Sequence, residues 1–227
     1  YLYAPEVSAG AARQPNWREH LACRDCGFIM RLRAAMHLLQ TRCAPGPAAA
    51  IYLTEEVTPL YTWLKARHPG LQGSEFLGET CPRGQTHNGV RNEDLTRLTF
   101  ADSSFDAILS FDVLEHVIDD QAAFRECFRC LRPGGTLLFT APFSSDHAQQ
   151  VVRARVGKDG KVEHLLPPEY HGNPVDPEGA LCFRYFGWDV LEDLRAAGFG
   201  SVEVVQYWSR DFAYLGNHGF AILARKP

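Results

Sequence analysis

The sequence lacks the features that mark membrane, secreted and nucleic-acid-binding proteins. No apolar run reaches about eighteen residues, so no transmembrane helix is expected. The first residues lack a basic region followed by an apolar one, so no signal peptide is predicted. A net charge of −4 gives no general attraction to phosphates, and seven cysteines, an odd number, suit free thiols in a reducing compartment. We therefore expect a cytoplasmic protein that binds neither membrane nor nucleic acid.

Three signatures of common enzyme classes are also missing. There is no G-x-x-x-x-G-K-[ST] loop and no serine in a nucleophile elbow, which argues against P-loop NTPases and α/β-hydrolases. No G-x-G-x-x-G follows the first predicted strand of the main domain, so a nicotinamide-dependent oxidoreductase is disfavoured.

What is present is the composition of an ordinary globular domain. The chain has 227 residues, 45% hydrophobic and 22% charged, enough for one sizeable core. Residues 1–47 are predicted to form an N-terminal arm and a small helical cap. In residues 48–227, apolar runs alternate with helical patterns, which predicts a Rossmann-like α/β domain with a mostly parallel sheet. Residues 144–183, rich in proline and charge, are predicted to form an irregular insertion in that domain.

Two cysteines in the predicted cap have the spacing of half a zinc site. Cys23 and Cys26 form a C-x-x-C pair, with His20, His37 and Cys43 nearby in the sequence. A second pair at short spacing is missing, so free thiols on a turn are the favoured interpretation. We predict no metal ligands and keep structural zinc at this pair as the alternative.

Acidic residues follow the first two predicted strands of the main domain. Glu55 ends the first strand and Glu75 the second. Ligands of open α/β sheets bind beyond the carboxyl ends of the strands. A carboxylate accepts both hydroxyl protons of a ribose diol, so an acid at the end of the second strand suits a nucleoside.

Spaced segments of the chain resemble the class I S-adenosylmethionine (SAM) dependent methyltransferases, and within that class they resemble methyltransferase type 11. The segments that carry this likeness are Glu93-Asp94-Leu95, Phe105-Asp106-Ala107-Ile108, Leu114-Glu115-His116-Val117 and Leu131-Arg132-Pro133-Gly134-Gly135. A subgroup of that family is similar over most of residues 15–227, in the segments Thr54-Glu55-Glu56-Val57-Thr58-Pro59, Pro168-Glu169-Tyr170-His171-Gly172, Phe186-Gly187-Trp188 and Tyr207-Trp208-Ser209. The resemblance implies a sheet of seven strands flanked by helices, with SAM as the cofactor.

The resemblance also implies roles for individual residues. Glu75 would hold the SAM ribose, Asp94 would take the adenine amino group, and Leu95 would pack beside the adenine ring. Asp112 and Leu114, after the fourth strand, would line the methionine end of SAM.

The first turn of the domain departs from the family pattern. Where these enzymes carry D/E-x-G-x-G-x-G, this chain has Glu55-Glu56-Val57-Thr58-Pro59. Thr58 is a good N-cap and Pro59 suits the first helical position, so a helix N-terminus is still predicted there. Such a terminus can face a carboxylate. Glu55 and Thr58 are therefore included among the predicted cofactor-binding residues.

The candidates for chemistry are two histidines and their neighbours. Methyl transfer is an in-line displacement that needs alignment, exclusion of water and, for some acceptors, a base. His116 lies just past the fourth strand and is a candidate base, with a structural role as the alternative. Glu169, Tyr170 and His171 lie in the insertion and are candidate catalytic residues, with a solvated turn as the alternative.

The sequence therefore predicts a SAM-dependent methyltransferase acting on a small molecule, such as a sugar or a specialised metabolite. The missing glycines favour the alternative, a catalytically inactive methyltransferase-like binding or assembly module. The sequence contains no signal for the oligomeric state.

Overall fold

The structure is a computed structural model, and it describes residues 2–3 and 15–227. Its α-helices are α1 (Trp17–His20), α2 (Met30–Leu38), α3 (Pro59–Lys65), α4 (Asp120–Cys130) and α5 (Val190–Ala196). A π-helical turn, Leu39–Cys43, continues α2, and a 3₁₀ turn occupies Leu114–His116. The strands are β1 (Leu2–Tyr3), β2 (Leu21–Ala22), β3 (Ile51–Leu53), β4 (Gln72–Gly73), β5 (Thr86–His87), β6 (Val90–Arg91), β7 (Phe105–Phe111), β8 (Leu131–Thr140), β9 (Val151–Val152), β10 (Ala154–Val156), β11 (Val162–His164), β12 (Tyr170–Asn173), β13 (Asp176–Leu181), β14 (Arg184–Tyr185), β15 (Ser201–Ser209) and β16 (Tyr214–Arg225).

Three helices begin at side chains that cap their free N–H groups. The side chain of Asn16 accepts a hydrogen bond from Glu19 N at the start of α1, and Asp119 accepts one from Ala122 N at the start of α4. At α3, Thr58 Oγ1 accepts from Tyr61 N at 3.2 Å, and Pro59 occupies the first turn. The helix start predicted at Thr58 is therefore confirmed.

The central sheet has six strands in the order β15-β16-β8-β7-β3-β4. Strands β8, β7, β3 and β4 are parallel to one another, and the closing pair β16 and β15 is antiparallel. Among the described residues, the sheet therefore has six strands instead of the seven expected. Where a seventh strand would lie beside β4, there is a single parallel bridge between Glu75 and Asn92. The residues just before Asn92 form β6, which pairs antiparallel with β5 instead.

Apolar side chains cover both faces of this sheet. On one face, α4 and α5 pack against strand side chains that include Tyr52, Phe105, Ile108, Leu137 and Phe139. On the other face, α2 and α3 pack against strand side chains that include Ile51, Leu53, Leu109, Leu138 and Leu223. Layers on both sides of a sheet are the arrangement that the alternating pattern of strands and helices predicts.

The N-terminal segment packs directly on the sheet. Phe28, Ala35 and Met36 share a buried cluster with Ile51 and Leu53. The predicted boundary at residue 47 stays a prediction. Among the described helices, none combines the length and the apolar character needed to cross a bilayer.

The segment 144–183 is more regular than predicted. It contains two antiparallel hairpins, β10–β11 and β12–β13, while β9 pairs with β14 just beyond the segment. Its strands are short and mostly exposed, so they lack the apolar periodicity that identifies strands in a sequence. The end of the segment is fixed to the 3₁₀ turn, because Phe183 N donates to Glu115 O at 2.8 Å and Arg184 donates to Val117 O and Ile118 O at 2.7 Å each.

Candidate functional site

The carboxyl ends of the parallel strands bring the predicted site residues to one edge of the sheet. After β3, Thr54 N donates to Leu109 O at 3.0 Å, and the chain then turns away through Glu55. After β7, Asp112 N donates to Thr140 O at 2.8 Å. Asp112 has a φ of +54°, a left-handed conformation that Asp and Asn tolerate better than most residues. The backbone therefore directs Glu55 and Asp112 to the edge where α/β sheets bind ligands.

The glycine-free turn is held by carboxylates of the protein itself. Glu75 Oε1 accepts hydrogen bonds from Glu56 N at 2.7 Å and from Val57 N at 3.0 Å. Glu56 Oε2 in turn accepts from Arg91 N at 2.7 Å. The turn N–H groups are thus used inside the protein, and Glu75 retains its second oxygen, Oε2, for a ligand. Burial raises the pKa of Glu75.

Glu55 is the most unusual acid of this edge. Its Oε1 is buried and has no hydrogen-bond partner among residues 15–227. Burial raises the pKa of Glu55 to about 7. Thr58 and the charge of Arg31 favour its ionised form, but burial outweighs both. A buried carboxylate oxygen without a hydrogen-bond partner is costly, and a cation brought to it would reduce that cost. Thr58, the other residue predicted at this turn, uses its hydroxyl to cap α3.

Asp112 is held by two arginines of the N-terminal segment. Its carboxylate lies 2.8 Å from Arg18 Nη1 and Nη2 and 3.2 Å from Arg31 Nε, and Thr140 Oγ1 donates to it at 2.8 Å. Burial alone would raise the pKa of Asp112, but Arg31 and Arg18 outweigh it and hold that pKa well below its usual range. Arg31 also binds Glu19, at 3.0 Å. Arg18 could not be predicted at this position from the sequence, because ninety-four residues separate it from Asp112.

Three of the predicted cofactor-binding residues already make contacts within the protein. Asp94 Oδ1 accepts from Thr96 N at 2.8 Å and from Thr96 Oγ1 at 2.7 Å. Leu95 is 7% exposed and Leu114 is fully buried, both in the core beneath α4. The Leu114 side chain therefore has no surface left for a ligand, and its predicted role would fall to the backbone.

The two predicted catalytic histidines come together although fifty-five residues separate them. Their rings lie edge to face, with centroids 4.8 Å apart. His116 Nδ1 is 2.8 Å from Leu181 O, and His171 Nε2 is 3.0 Å from Glu169 Oε1. Glu169 also accepts from Tyr185 and lies 3.0 Å from Arg153. Tyr170, the fourth predicted catalytic residue, is instead 55% exposed.

Glu115 is the acid that sequence reasoning missed. It lies beside His116 in the 3₁₀ turn and is fully buried, and neither carboxylate oxygen has a hydrogen-bond partner in the described part of the chain. Its Oε1 is 3.4 Å from His171 Nδ1 and 3.6 Å from His116 Nε2. Burial raises the pKa of Glu115, and the neighbouring Glu115 carboxylate raises the pKa of His171 to about 8. Glu115 could have been found from the sequence, because it lies inside the Leu114-Glu115-His116-Val117 segment that resembles the methyltransferases.

The remaining predicted and detected features lie apart from this edge. Cys23 and Cys26 form a turn closed by a hydrogen bond from Gly27 N to Cys23 O at 2.9 Å. Neither cysteine belongs to the groups of three metal-ligating side chains found among the described residues. Structural zinc at this pair therefore stays the untested alternative to free thiols. A cavity of about 620 Å³, lined in part by Asp106 and Thr136, lies near the amino-terminal ends of β7 and β8, away from the edge described above.

Comparison with known proteins agrees with this fold. Residues 72–139 match the family described as a methyltransferase domain. A SAM-dependent methyltransferase from Mesorhizobium loti has a solved structure that superposes with a TM-score of 0.55 at 18% identity, over 88% of this chain and all of that one. The chain has the class I methyltransferase fold. The resemblance and the Rossmann-like fold predicted from the sequence are confirmed.

Two further relatives show how widely this fold is used. The [4+2]-cyclase SpnF superposes with a TM-score of 0.57 at 20% identity, over all of this chain and 88% of that one. The sterol 24-C-methyltransferase erg6 of Aspergillus fumigatus is 24% identical over 73% of this chain. The chain spans 21%, 43% and 30% of the length of the first three curated relatives it matches.

Proposed function

We propose that the protein transfers a methyl group from SAM to a small-molecule acceptor at the carboxyl edge of its sheet. The observation that carries this proposal is the pair of unequal acids at that edge. Glu55 Oε1 is buried and has no hydrogen-bond partner among residues 15–227, whereas Asp112 is paired with two arginines. The match of residues 72–139 to a methyltransferase domain and the class I fold support the same conclusion.

The charges at the edge suit the amino-acid end of SAM. That end carries an ammonium and a carboxylate. Glu55 would hold the ammonium, because its unpartnered oxygen needs a cation. Arg31, whose guanidinium already binds two acids and whose charge also acts on Glu55, would hold the carboxylate.

The nucleoside end is supported by fewer free groups. Glu75 would accept a ribose hydroxyl with Oε2, since its Oε1 is used by the turn. Asp94 keeps Oδ2, which lies 4.0 Å from Arg83 and can accept from an adenine amino group. Glu75 and Asp94 would thus each offer one carboxylate oxygen to the cofactor.

SAM, when bound, supplies a methyl group already activated by its sulfonium. The protein's own task is then to orient an acceptor, exclude water and hold or receive a proton. His116 and His171, with Glu169 behind His171, are the residues proposed for the acceptor end. Their side chains are 15% and 27% exposed, so an acceptor can reach them. A sugar or a specialised metabolite is the proposed class of acceptor.

Calorimetric titration with S-adenosylhomocysteine tests the cofactor half of the proposal. The wild-type chain is expected to bind at micromolar concentration, and Glu55→Gln at least about tenfold more weakly, because a hydrogen bond to a charged group contributes about 1.5–3 kcal/mol. Glu192→Gln, which changes an acid of α5 with 76% of its side chain exposed, is the matched control and should bind like wild type.

The possible results separate the proposal from its rival. Absence of binding by correctly folded wild-type protein would refute the proposal and favour the inactive binding or assembly module. Equal binding by Glu55→Gln and wild type would refute the role of Glu55. Release of S-adenosylhomocysteine from SAM with a panel of sugars and metabolites would then test transfer itself, which the fold alone does not decide because SpnF is a cyclase.

A further inference from the structure

We infer that Glu115, His116 and His171 form a binding site for one divalent transition-metal ion at the acceptor end. One ligand atom from each of these three side chains lies within 4.8 Å of the other two. Two imidazoles and one carboxylate are a ligand set typical of Zn²⁺ and Fe²⁺. The metal itself does not depend on the proposed function, but its use in methyl transfer does.

The distances suit a small metal ion. Around a tetrahedral ion with bonds of 2.0–2.1 Å, neighbouring ligand atoms lie about 3.3 Å apart. Glu115 Oε1 is 3.4 Å from His171 Nδ1 and 3.6 Å from His116 Nε2. At 3.4 and 3.6 Å these contacts are longer than ordinary hydrogen bonds between charged groups, and neither oxygen of Glu115 has a well-formed hydrogen bond among the described residues.

The hydrogen bonds of the two rings leave the correct nitrogens free. Leu181 O can only accept, so His116 donates from Nδ1 and presents the lone pair of Nε2 to Glu115. The ionised Glu169 carboxylate accepts in the same way, so His171 donates from Nε2, and its Nδ1 faces Glu115 and becomes a ligand when the metal displaces its proton. A backbone carbonyl and a carboxylate behind the two rings are the outer partners that metal-ligating histidines usually have.

A second group of possible ligands is less suitable. Glu169, His171 and Cys182 also lie close together. However, Glu169 already binds Tyr185 and Arg153, and the Cys182 thiol donates to Arg184 O at 3.3 Å. Glu115 differs because its carboxylate is fully buried with nothing to neutralise it except the two rings.

The site would keep an open position toward the solvent. His116 and His171 are partly exposed, whereas Glu115 closes the inner side. Three protein ligands and one open position are the pattern of catalytic rather than structural zinc sites. At that position the ion would bind an oxygen of the acceptor and lower its pKa, which favours a hydroxyl group as the methyl acceptor.

Cobalt titration of the full chain tests this inference. The chain is stripped with chelator, carries Cys23→Ser and Cys26→Ser to remove the competing thiol pair, and is titrated with Co²⁺ alone. We expect visible d–d absorption that saturates at one equivalent per chain, without thiolate charge transfer in the near ultraviolet, and competition by Zn²⁺. His171→Ala should weaken binding at least about 100-fold, and Glu169→Gln about 10–100-fold, the range for lost outer partners.

His147→Ala is the matched control, because His147 is exposed and bonds only the hydroxyl of Ser144 through its ring. It should bind Co²⁺ like the parent chain. Circular dichroism of each variant identifies loss of folding, and Glu169→Gln retains the test if His171→Ala does not fold. Binding below a tenth of an equivalent, or binding that neither His171→Ala nor Glu169→Gln changes, would overturn the inference and leave Glu115 and His171 as an ion pair. Co²⁺ binding without S-adenosylhomocysteine binding would support the metal site and refute the proposed function.

Discussion

Replacing Asp112 with asparagine should destabilise the protein measurably. Asparagine keeps the shape of the side chain, tolerates the φ of +54° and can still accept from Thr140. What it loses is the charge that faces Arg18 and Arg31, both partly buried with 32% and 17% of their side chains exposed. The N-terminal segment would therefore be held less tightly to the sheet.

The size of the loss follows from this burial. Removing one partner of a fully buried ion pair costs about 3–5 kcal/mol. Arg31 keeps Glu19 as a partner at 3.0 Å and Arg18 keeps contact with solvent, so we expect about 2 kcal/mol. For a chain of this size that corresponds to a fall in melting temperature of about 4–8 °C.

Urea and thermal denaturation followed by circular dichroism measure this loss. Asp102→Asn is the control, because Asp102 also pairs with an arginine, Arg129, but is 78% exposed and should cost no more than about 0.5 kcal/mol. A loss for Asp112→Asn no larger than that of the control would refute the reasoning.

The same variant should respond differently to acid. The pKa of Asp112 is lowered in the folded protein, so its charge stabilises the fold above the unfolded pKa of about 3.9 and this contribution is lost as the pH falls below it. The difference in stability between wild type and Asp112→Asn should therefore shrink by about 1 kcal/mol between pH 7 and pH 3. A difference that stays constant over this range would contradict the lowered pKa.

Two further predictions concern the first turn. The pKa of Glu55 is raised to about 7, so the folded state binds more protons than the unfolded state between pH 4.5 and 7, and wild type should lose up to about 3 kcal/mol relative to Glu55→Gln as the pH rises through that range. Parallel denaturation curves of the two proteins at each pH would exclude the raised pKa. Gly73→Ala should cost about 1–3 kcal/mol in urea denaturation, because its Cβ would lie 2.6 Å from the Tyr61 ring and 2.8 Å from Glu55 O. Gly46→Ala, whose Cβ would meet nothing within 4 Å, should be neutral, and equal losses in both variants would argue against this close packing.

The parts of the fold that local chemistry determines could be predicted from the sequence. Asn16 and Thr58 mark helix starts because their side chains satisfy N–H groups three residues away. The seventh strand could not be excluded in the same way. Residues near Val90 have strand-like composition, and only the competing antiparallel pairing with Thr86 and His87 decides their partner.

In the candidate site, too, some residues could be predicted from the sequence and others could not. The acids at strand ends could be chosen because a parallel sheet gathers its carboxyl ends at one edge. The partners of those acids could not, since they come from distant segments. Arg18 reaches Asp112 from the N-terminal segment, and His171 reaches Glu115 only because the strand pairing of β12 with β13 and the bond from Phe183 N to Glu115 O bring it there.

The missing glycines are explained by the direction of the turn N–H groups. In dinucleotide-binding folds, glycines allow the backbone to approach a pyrophosphate that helix N–H groups bind. Here the N–H groups of Glu56 and Val57 donate to the protein's own Glu75 carboxylate, so they are not free to bind an anionic ligand and the turn needs no glycine for one. The same edge is lined by the carboxylates of Glu55 and Glu75, which repel a pyrophosphate and attract an ammonium. The glycine-free turn therefore argues more strongly against a dinucleotide than against the proposed SAM, whose only anionic group is a carboxylate that Arg31 would pair with.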